Sequence, residues 1–362
     1  MKTEINKLIE EADHYQDEHP RKTEILQKAY ALAQNLKDIE LQLEVGTSLV
    51  GASQWSGNKT ITLSIFPQLL NLLDENPEYL DEYSLLWEYK WVVRGLPDYP
   101  NITKIQIFDA LKDMEQRFIS EGNSKKVIYQ YMSKIYLKLG MLEEAKVFYG
   151  RSKKHKGDAY LSDCTACIVN AKVLLYCLTE SLEEALVVAK PIFNKKYSCH
   201  SVPISTYAYV LPFVMKAGQM EKAKEMFDRF CKVYSKDSEL YSGPIFYCIK
   251  TEQYSKAINF LEKASSRFLD PRSTDYKPIK SIDDFNYALS FWYLCDSLDQ
   301  GKKKEVKIRF HKDFVHFKSN HNYTIEELKN FFKTEALTLA MAFDLRNENN
   351  FISNQITEVF NY

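Results

Sequence analysis

The chain has 362 residues, of which 45% are hydrophobic and 27% are charged, and its formal net charge is −1. This composition excludes an intrinsically disordered chain, which would contain fewer apolar residues. The charge balance gives no support to nucleic-acid binding, which usually requires a basic excess or a basic face, so we predict no nucleic-acid partner.

The amino-terminal residues do not resemble a targeting signal. They are rich in acidic side chains and lack the apolar core of a signal peptide. No apolar run in the chain approaches the ~20 residues that a membrane helix needs, so we predict no membrane association. The seven cysteines, an odd number spread over a long chain, favour reduced thiols. We therefore predict a cytoplasmic protein.

The first part of the chain, residues 1–123, shows the spacing of helical hairpins. Apolar residues recur at helical intervals in residues 25–36, 61–72 and 105–118. Four aromatic residues, Tyr79, Tyr83, Trp87 and Trp91, fall four apart and predict one ring-bearing helix face. Such a face is either core between helices or a peptide-docking surface. We interpret this part as diverged hairpins.

The second part, residues 124–270, contains a repeated phrase. It reads LGMLEEAKVFY, TESLEEALVVA, AGQMEKAKEMF and TEQYSKAINFL, and the shared alanine recurs at intervals of 34 to 40 residues as Ala145, Ala185, Ala223 and Ala257. A phrase recurring at this period is typical of a helical-hairpin solenoid. The small alanine allows two antiparallel helices to approach closely.

The residues around the first alanine carry a family resemblance. Tyr129, Met132, Tyr136, Gly140 and Phe148 keep the order of aromatic, apolar and turn positions of the tetratricopeptide repeat, which this segment resembles. The turn glycine is kept before Ala223 but is replaced before the other two alanines. The resemblance implies an all-α fold, a right-handed superhelix (α-solenoid), whose groove takes a peptide or a partner helix.

Further phrases are similar to a group of uncharacterised bacterial tetratricopeptide-type proteins. They are LSDCTAC at residues 161–167, Cys199 with Pro203, Leu211 with Pro212, and AFDLRN at residues 342–347. This resemblance implies a bacterial origin and brings no assigned activity.

The last part, residues 271–362, is predicted to cap the solenoid. Residues 270–280 contain two prolines and little apolar content, which is typical of a linker. Two apolar-periodic helices are predicted at residues 285–298 and 325–345. The basic and aromatic stretch between them, residues 302–318, is interpreted as a solvated connection, with phosphate contact as the alternative. A solenoid needs such an atypical terminal unit to cover its last apolar face.

One group of residues has the pattern of a metal site. Cys164, Cys167, Cys199 and His200 resemble the paired ligands of a zinc centre, and the repeat would place the two pairs at neighbouring helix starts. The fourth ligand could instead be Asp163 or water, or be absent. The alternatives are a dithiol redox site and plain packing of small thiols.

A second group predicts a binding groove. Lys138, Lys216 and Lys250 each lie seven residues before a repeat alanine, at the end of the first helix of a hairpin. A row of lysines there could grip the carboxylates of an acidic peptide, and we assign Lys134 and Phe246 to the same groove. The alternative is that each lysine stabilises its helix dipole and faces water.

No catalytic motif is evident in the chain. We therefore predict a non-catalytic module that binds a protein or peptide partner, acting as a bacterial scaffold or regulator without a cofactor. The alternative is a thiol- or zinc-dependent protein that uses Cys164, Cys167 and Cys199.

Overall fold

A computed structural model of the chain describes residues 1–17, 19–56, 59–80, 82–157, 160–234, 240–269 and 280–361. Within these residues the chain forms seventeen α-helices and one two-stranded sheet. The predicted all-α class is therefore confirmed. The chain divides into two compact units, residues 1–96 with 108–125 and residues 97–107 with 126–362. The predicted linker at residues 270–280 lies outside the described residues, except for its last residue.

The first unit is a series of helices, of which the first five pack in chain order, each on the next. Its helices are α1 Lys2–Asp13, α2 Pro20–Leu36, α3 Ile39–Trp55, α4 Lys59–Glu75, α5 Leu86–Gly95 and most of α6 Lys104–Ser120. Asp38 caps α3 by accepting a hydrogen bond from the Leu41 N–H. Gly46 lets α3 and α4 come close, because a Cβ there would lie 2.5 Å from a methyl group of Leu69. The apolar periodicity of this part is thus explained by packed hairpins.

The prediction that four aromatic rings share one helix face is wrong. Tyr79 ends a short 3-10 turn, Pro77–Tyr79, and α5 begins only at Leu86. Leu85 has a φ of 57°, a left-handed conformation that a right-handed helix cannot contain, so the helix cannot extend back toward Tyr83. Only Trp87 and Trp91 share a helix.

The second unit contains the repeated phrases. Its helices are α7 Lys125–Lys138, α8 Leu142–Ser152, α9 Thr165–Thr179, α10 Leu182–Phe193, α11 Ile204–Lys216, α12 Met220–Val233, α13 Ser242–Lys250, α14 Tyr254–Leu269, α15 Ile282–Gln300, α16 Ile325–Asn347 and α17 Phe351–Phe360. Helices α9 and α10, α11 and α12, and α13 and α14 pack as hairpins. The first helix of each hairpin also packs on the next first helix, α9 on α11, α11 on α13 and α13 on α15. These neighbour contacts fit a repeat arrangement.

The repeat alanines occupy one equivalent position. Each is the fourth residue of the second helix of its hairpin, in α8, α10, α12 and α14, and each is fully buried. In the first hairpin the Ser133 hydroxyl donates a 2.8 Å hydrogen bond to the Ala145 carbonyl, so the two backbones approach closely at this point. The ring of Tyr136 stacks on Phe148 beside it, with centroids 5.0 Å apart.

The turns inside the hairpins share one backbone conformation. Gly140, Gly218 and Glu252 each lie two residues past a first helix and have φ values of 73°, 70° and 56°. In each turn the next residue donates a hydrogen bond back to a carbonyl five residues earlier, which is the Schellman motif. Glu252 therefore replaces a glycine without changing the turn, although its side chain is strained there.

The C-terminal part confirms two predicted helices and adds elements that were not predicted. Helices α15 and α16 correspond to the expected segments and pack on each other. Strands β1 Glu305–Lys307 and β2 Asn322–Thr324 pair antiparallel, with Val306 opposite Tyr323. The connection at residues 302–318 is not simply solvated, because Phe310 and Phe314 are buried against Phe332.

None of the described helices combines the length and the apolar content needed to cross a bilayer.

Substitutions at the left-handed residue should rank the hairpin turns. We expect Gly218→Ala to lower the free energy of unfolding by about 1–2 kcal/mol, because only the left-handed backbone opposes it and no atom lies near the new Cβ. Gly140→Ala should cost more, because its Cβ would lie 2.5 Å from the Phe351 Cβ. Glu252→Gly should stabilise the protein by up to about 1 kcal/mol. Urea unfolding of the three variants measures this order, and equal effects at the two glycines would contradict it.

Enlarging a repeat alanine should separate the helices. Ala223→Leu adds three carbon atoms to a fully buried position, and we expect it to destabilise the protein by about 1–3 kcal/mol or more. The control is Lys222→Leu, one residue earlier on the exposed side of α12, which should change stability by less than about 0.5 kcal/mol. Thermal unfolding of both variants gives the comparison. Similar melting temperatures for the two would contradict the close approach.

Candidate functional site

Three cysteine sulfurs lie together at the start of α9. Cys164 is the N-cap of that helix, Cys167 lies in its first turn, and Cys199 lies in the loop between α10 and α11. Their Sγ atoms all lie within 4.8 Å of one another, and those of Cys167 and Cys199 are 3.5 Å apart. We call these three residues the thiol cluster. Each of the seven cysteines of the chain is a free thiol.

Local backbone structure positions the three thiols. Cys164 has an extended backbone, and its sulfur accepts a 3.5 Å hydrogen bond from the Cys167 N–H at the helix start. Cys199 and Val202 exchange two backbone hydrogen bonds of 2.9 and 3.3 Å, which closes the loop into a tight turn. Val202 is buried with Ala166 and Ile192. This apolar contact holds the turn, and therefore Cys199, against the first turn of α9.

The electrostatic environment differs between two of these thiols. Partial burial acts to raise the pKa of Cys164, but hydrogen bonds from the Cys167 N–H and from the neighbouring thiols outweigh it, and the pKa is lowered. The pKa of Cys167 is raised, first by burial and then by the adjacent sulfurs of Cys199 and Cys164. Cys164 is also the exposed member of the cluster. It is therefore the thiol that ionises more readily of the two.

Neither candidate for a fourth ligand belongs to the cluster. Among the described residues, His200 does not bring a ring nitrogen into the group of mutually close ligand atoms. The carboxylate of Asp163 is buried and accepts hydrogen bonds from the Tyr131 hydroxyl at 2.9 Å and from Lys134 Nζ at 2.5 Å. Of the predicted residues, the structure therefore brings together the three thiols, and the side chains of His200 and Asp163 do not lie with them.

The three lysines predicted to lie at the ends of first helices do so. Lys138, Lys216 and Lys250 are the last residues of α7, α11 and α13. Lys138 forms a 2.8 Å ion pair with Asp98, and Lys216 forms a 2.7 Å ion pair with Glu358. Intramolecular carboxylates thus already occupy two positions of the predicted groove, and Lys134 is paired with Asp163 as described above. Lys250 is exposed.

Phe246 does not lie at a surface. It is 5% exposed and packs edge-to-face on Tyr293 of α15, with ring centroids 5.9 Å apart. Its predicted place in an open groove is therefore corrected, because α15 covers the face of α13 that carries this ring.

Helix α17 lies against several of these positions and was not predicted. Glu358 pairs with Lys216, Phe360 packs edge-to-face on Tyr293 at 5.5 Å, and Phe351 abuts Gly140. The apolar residues Ile352, Ile356 and Val359, spaced three or four apart, are buried. This spacing is the signal in the sequence that could have identified the helix.

The phrase at residues 342–347 holds α17 in place. The Asp344 carboxylate accepts hydrogen bonds from the N–H groups of Ile352 and Ser353, at 2.9 and 3.0 Å, and so caps the helix start. The Arg346 guanidinium donates to the carbonyls of Pro97, Tyr99 and Ile102. Burial lowers the pKa of Arg346 to about 10.

Comparison with known proteins gives no family assignment. No family model matches the chain, and no curated protein matches it.

Chemical modification should distinguish the thiols. In metal-free, reduced protein we expect iodoacetamide to alkylate Cys164 fastest, because it is exposed, its pKa is lowered, and the thiolate is the reacting form. Cys231 is the matched control, since it is also exposed but burial of its sulfur raises its pKa. As the pH rises from 6 to 9, the rate at Cys164 should level off before the rate at Cys231. Peptide mass spectrometry measures both rates, and faster reaction at Cys231 would contradict the expectation.

Proposed function

We propose that this protein is a non-catalytic module that binds a protein or peptide. Its helical hairpins would form a tetratricopeptide-like right-handed superhelix, and it would act in the bacterial cytoplasm as a scaffold or regulator. The single observation that carries the proposal is the side-by-side packing of the first helices, α9, α11, α13 and α15, in chain order. Stacked hairpins of this kind present one continuous helical layer, which is the binding wall of such repeats.

The charges at the C-terminal ends of three first helices support a particular chemistry for the partner. Lysines close α7, α11 and α13, and two of them already hold carboxylates of the same chain, those of Asp98 and Glu358. These ion pairs are partly or largely exposed. Exposed pairs contribute only about 0–1 kcal/mol each. A partner with acidic side chains can therefore replace the intramolecular carboxylates at little cost.

Helix α17 indicates the shape of the partner. It is a short helix whose apolar residues are buried and whose Glu358 pairs with the lysine at the end of α11. An amphipathic helix laid against a helical wall is a common mode of peptide recognition. We infer that the preferred partner segment is an acidic amphipathic helix that engages the lysine-bearing ends of the first helices.

Charge-matched variants test this proposal. The chain is expressed in its native host as wild type and as one triple variant, the first-helix variant, which combines Lys138→Ala, Lys216→Ala and Lys250→Ala. The control combines Lys190→Ala, Lys224→Ala and Lys263→Ala, which remove three exposed lysines from the second helices α10, α12 and α14. Affinity purification followed by quantitative mass spectrometry reports the bound proteins.

We expect a specific partner whose recovery falls at least ~10-fold in the first-helix variant, equivalent to ~1.4 kcal/mol, and stays unchanged in the control. Circular dichroism confirms that both variants remain folded. Equal loss of the partner in both variants would indicate non-specific charge attraction. A partner retained in both would place the interface elsewhere, and either result would contradict the proposal.

A further inference from the structure

We propose that the thiol cluster binds one Zn²⁺ ion through three thiolates and leaves a fourth coordination position open to solvent. The inference concerns a site separate from the lysine-bearing helix ends and does not depend on the proposed function. It rests on the geometry of Cys164, Cys167 and Cys199 and on what surrounds them.

The separation of the sulfurs suits a bound ion. Zn–S bonds are ~2.3 Å long, so two thiolates on one tetrahedral ion lie about 3.8 Å apart. Cys167 and Cys199 are 3.5 Å apart, and all three sulfurs fit within 4.8 Å. Sulfur displacements of about 1 Å or less are enough to bring the three thiols to this separation.

The donor set selects the type of metal. Among the described residues the cluster contains sulfur ligands only. Thiolates bind borderline and soft ions such as Zn²⁺ and bind Mg²⁺ and Ca²⁺ poorly. Iron–sulfur clusters normally need four cysteine thiolates. Three protein ligands with one exchangeable position are a familiar arrangement for zinc, and they match the three thiols present.

The helix start stabilises the resulting charge. Zn²⁺ with three thiolates carries a net charge of −1. The cluster lies at the N-terminus of α9, where the helix dipole is positive, and the Cys164 sulfur already accepts a hydrogen bond from the Cys167 N–H. Backbone donors to ligand atoms orient the ligands and increase metal affinity.

The open position follows from the neighbours of the cluster. Asp163 is held by Tyr131 and Lys134, and His200 lies outside the group of mutually close ligand atoms. Cys164 is exposed, so the ion is accessible to water on that side. Water therefore completes the coordination. The ion would join the start of α9 to the turn before α11, two segments that are far apart in sequence.

Metal content and a cobalt spectrum test the site on the full-length protein. We expect purified protein to contain one zinc per chain by elemental analysis. Co²⁺ added to the metal-free protein should give sulfur-to-cobalt charge-transfer bands with the intensity of three thiolates. This spectrum is measured on the wild type, so it does not depend on a variant that fails to fold.

Single substitutions locate the ligands. Cys164→Ser, Cys167→Ser and Cys199→Ser should each lower zinc affinity by more than the ~10–100-fold that follows loss of an outer hydrogen bond. Cys231→Ser is the matched control and should retain full metal content, as should His200→Ala. A chelator should lower the melting temperature of the wild type and of Cys231→Ser but not of the three cluster variants.

Three results would overturn the inference. The first is wild-type zinc content no higher than that of a variant with all three cysteines replaced by serine. The second is an intact mass showing a disulfide between Cys167 and Cys199 in protein purified without reductant, which would indicate a redox pair. The third is loss of zinc in His200→Ala, which would exclude the open fourth position.

Discussion

The second unit depends on a close approach between two antiparallel helices at a side chain the size of a methyl group. Ala145, Ala185, Ala223 and Ala257 are fully buried at the fourth position of their helices. Protein interiors are close-packed, so a larger side chain at such a crossing would force one of the helices to move. The left-handed turn before three of these alanines fixes the angle at which the chain returns. Because the buried alanine recurs in every hairpin and the left-handed turn recurs in three of them, successive hairpins pack in a similar way.

This packing has a consequence for the surface. When first helices lie side by side, their C-terminal ends lie in one row, and the lysines that end α11 and α13 lie in that row. A lysine at a helix end serves two purposes. It interacts favourably with the negative end of its helix dipole, and it offers a charge to any carboxylate nearby. In this chain the carboxylate of Asp98 pairs with Lys138, and that of Glu358 pairs with Lys216. Helical stability and carboxylate binding are therefore properties of the same residues, and only a partner experiment separates them.

The thiol cluster belongs to the same arrangement. A helix start exposes N–H groups that lack partners inside the helix, and these groups favour a negatively charged sulfur. The turn at Cys199 meets this helix start because Val202 is buried with Ala166 and Ile192. Apolar packing of the hairpins thus assembles three polarizable thiols at a helix start where Cys164 is exposed.

The sequence alone determined the local and periodic features: the helical class, the equivalent alanines, the turns at Gly140 and Gly218, and the helices α15 and α16. These follow from short-range spacing and from the conformational freedom of glycine, so a few neighbouring residues suffice to specify them. Only the tertiary structure decided which side chains meet. It buried Phe246 under α15, placed α17 against Lys216 and left His200 outside the thiol cluster, because such contacts depend on the packing of segments far apart in the chain.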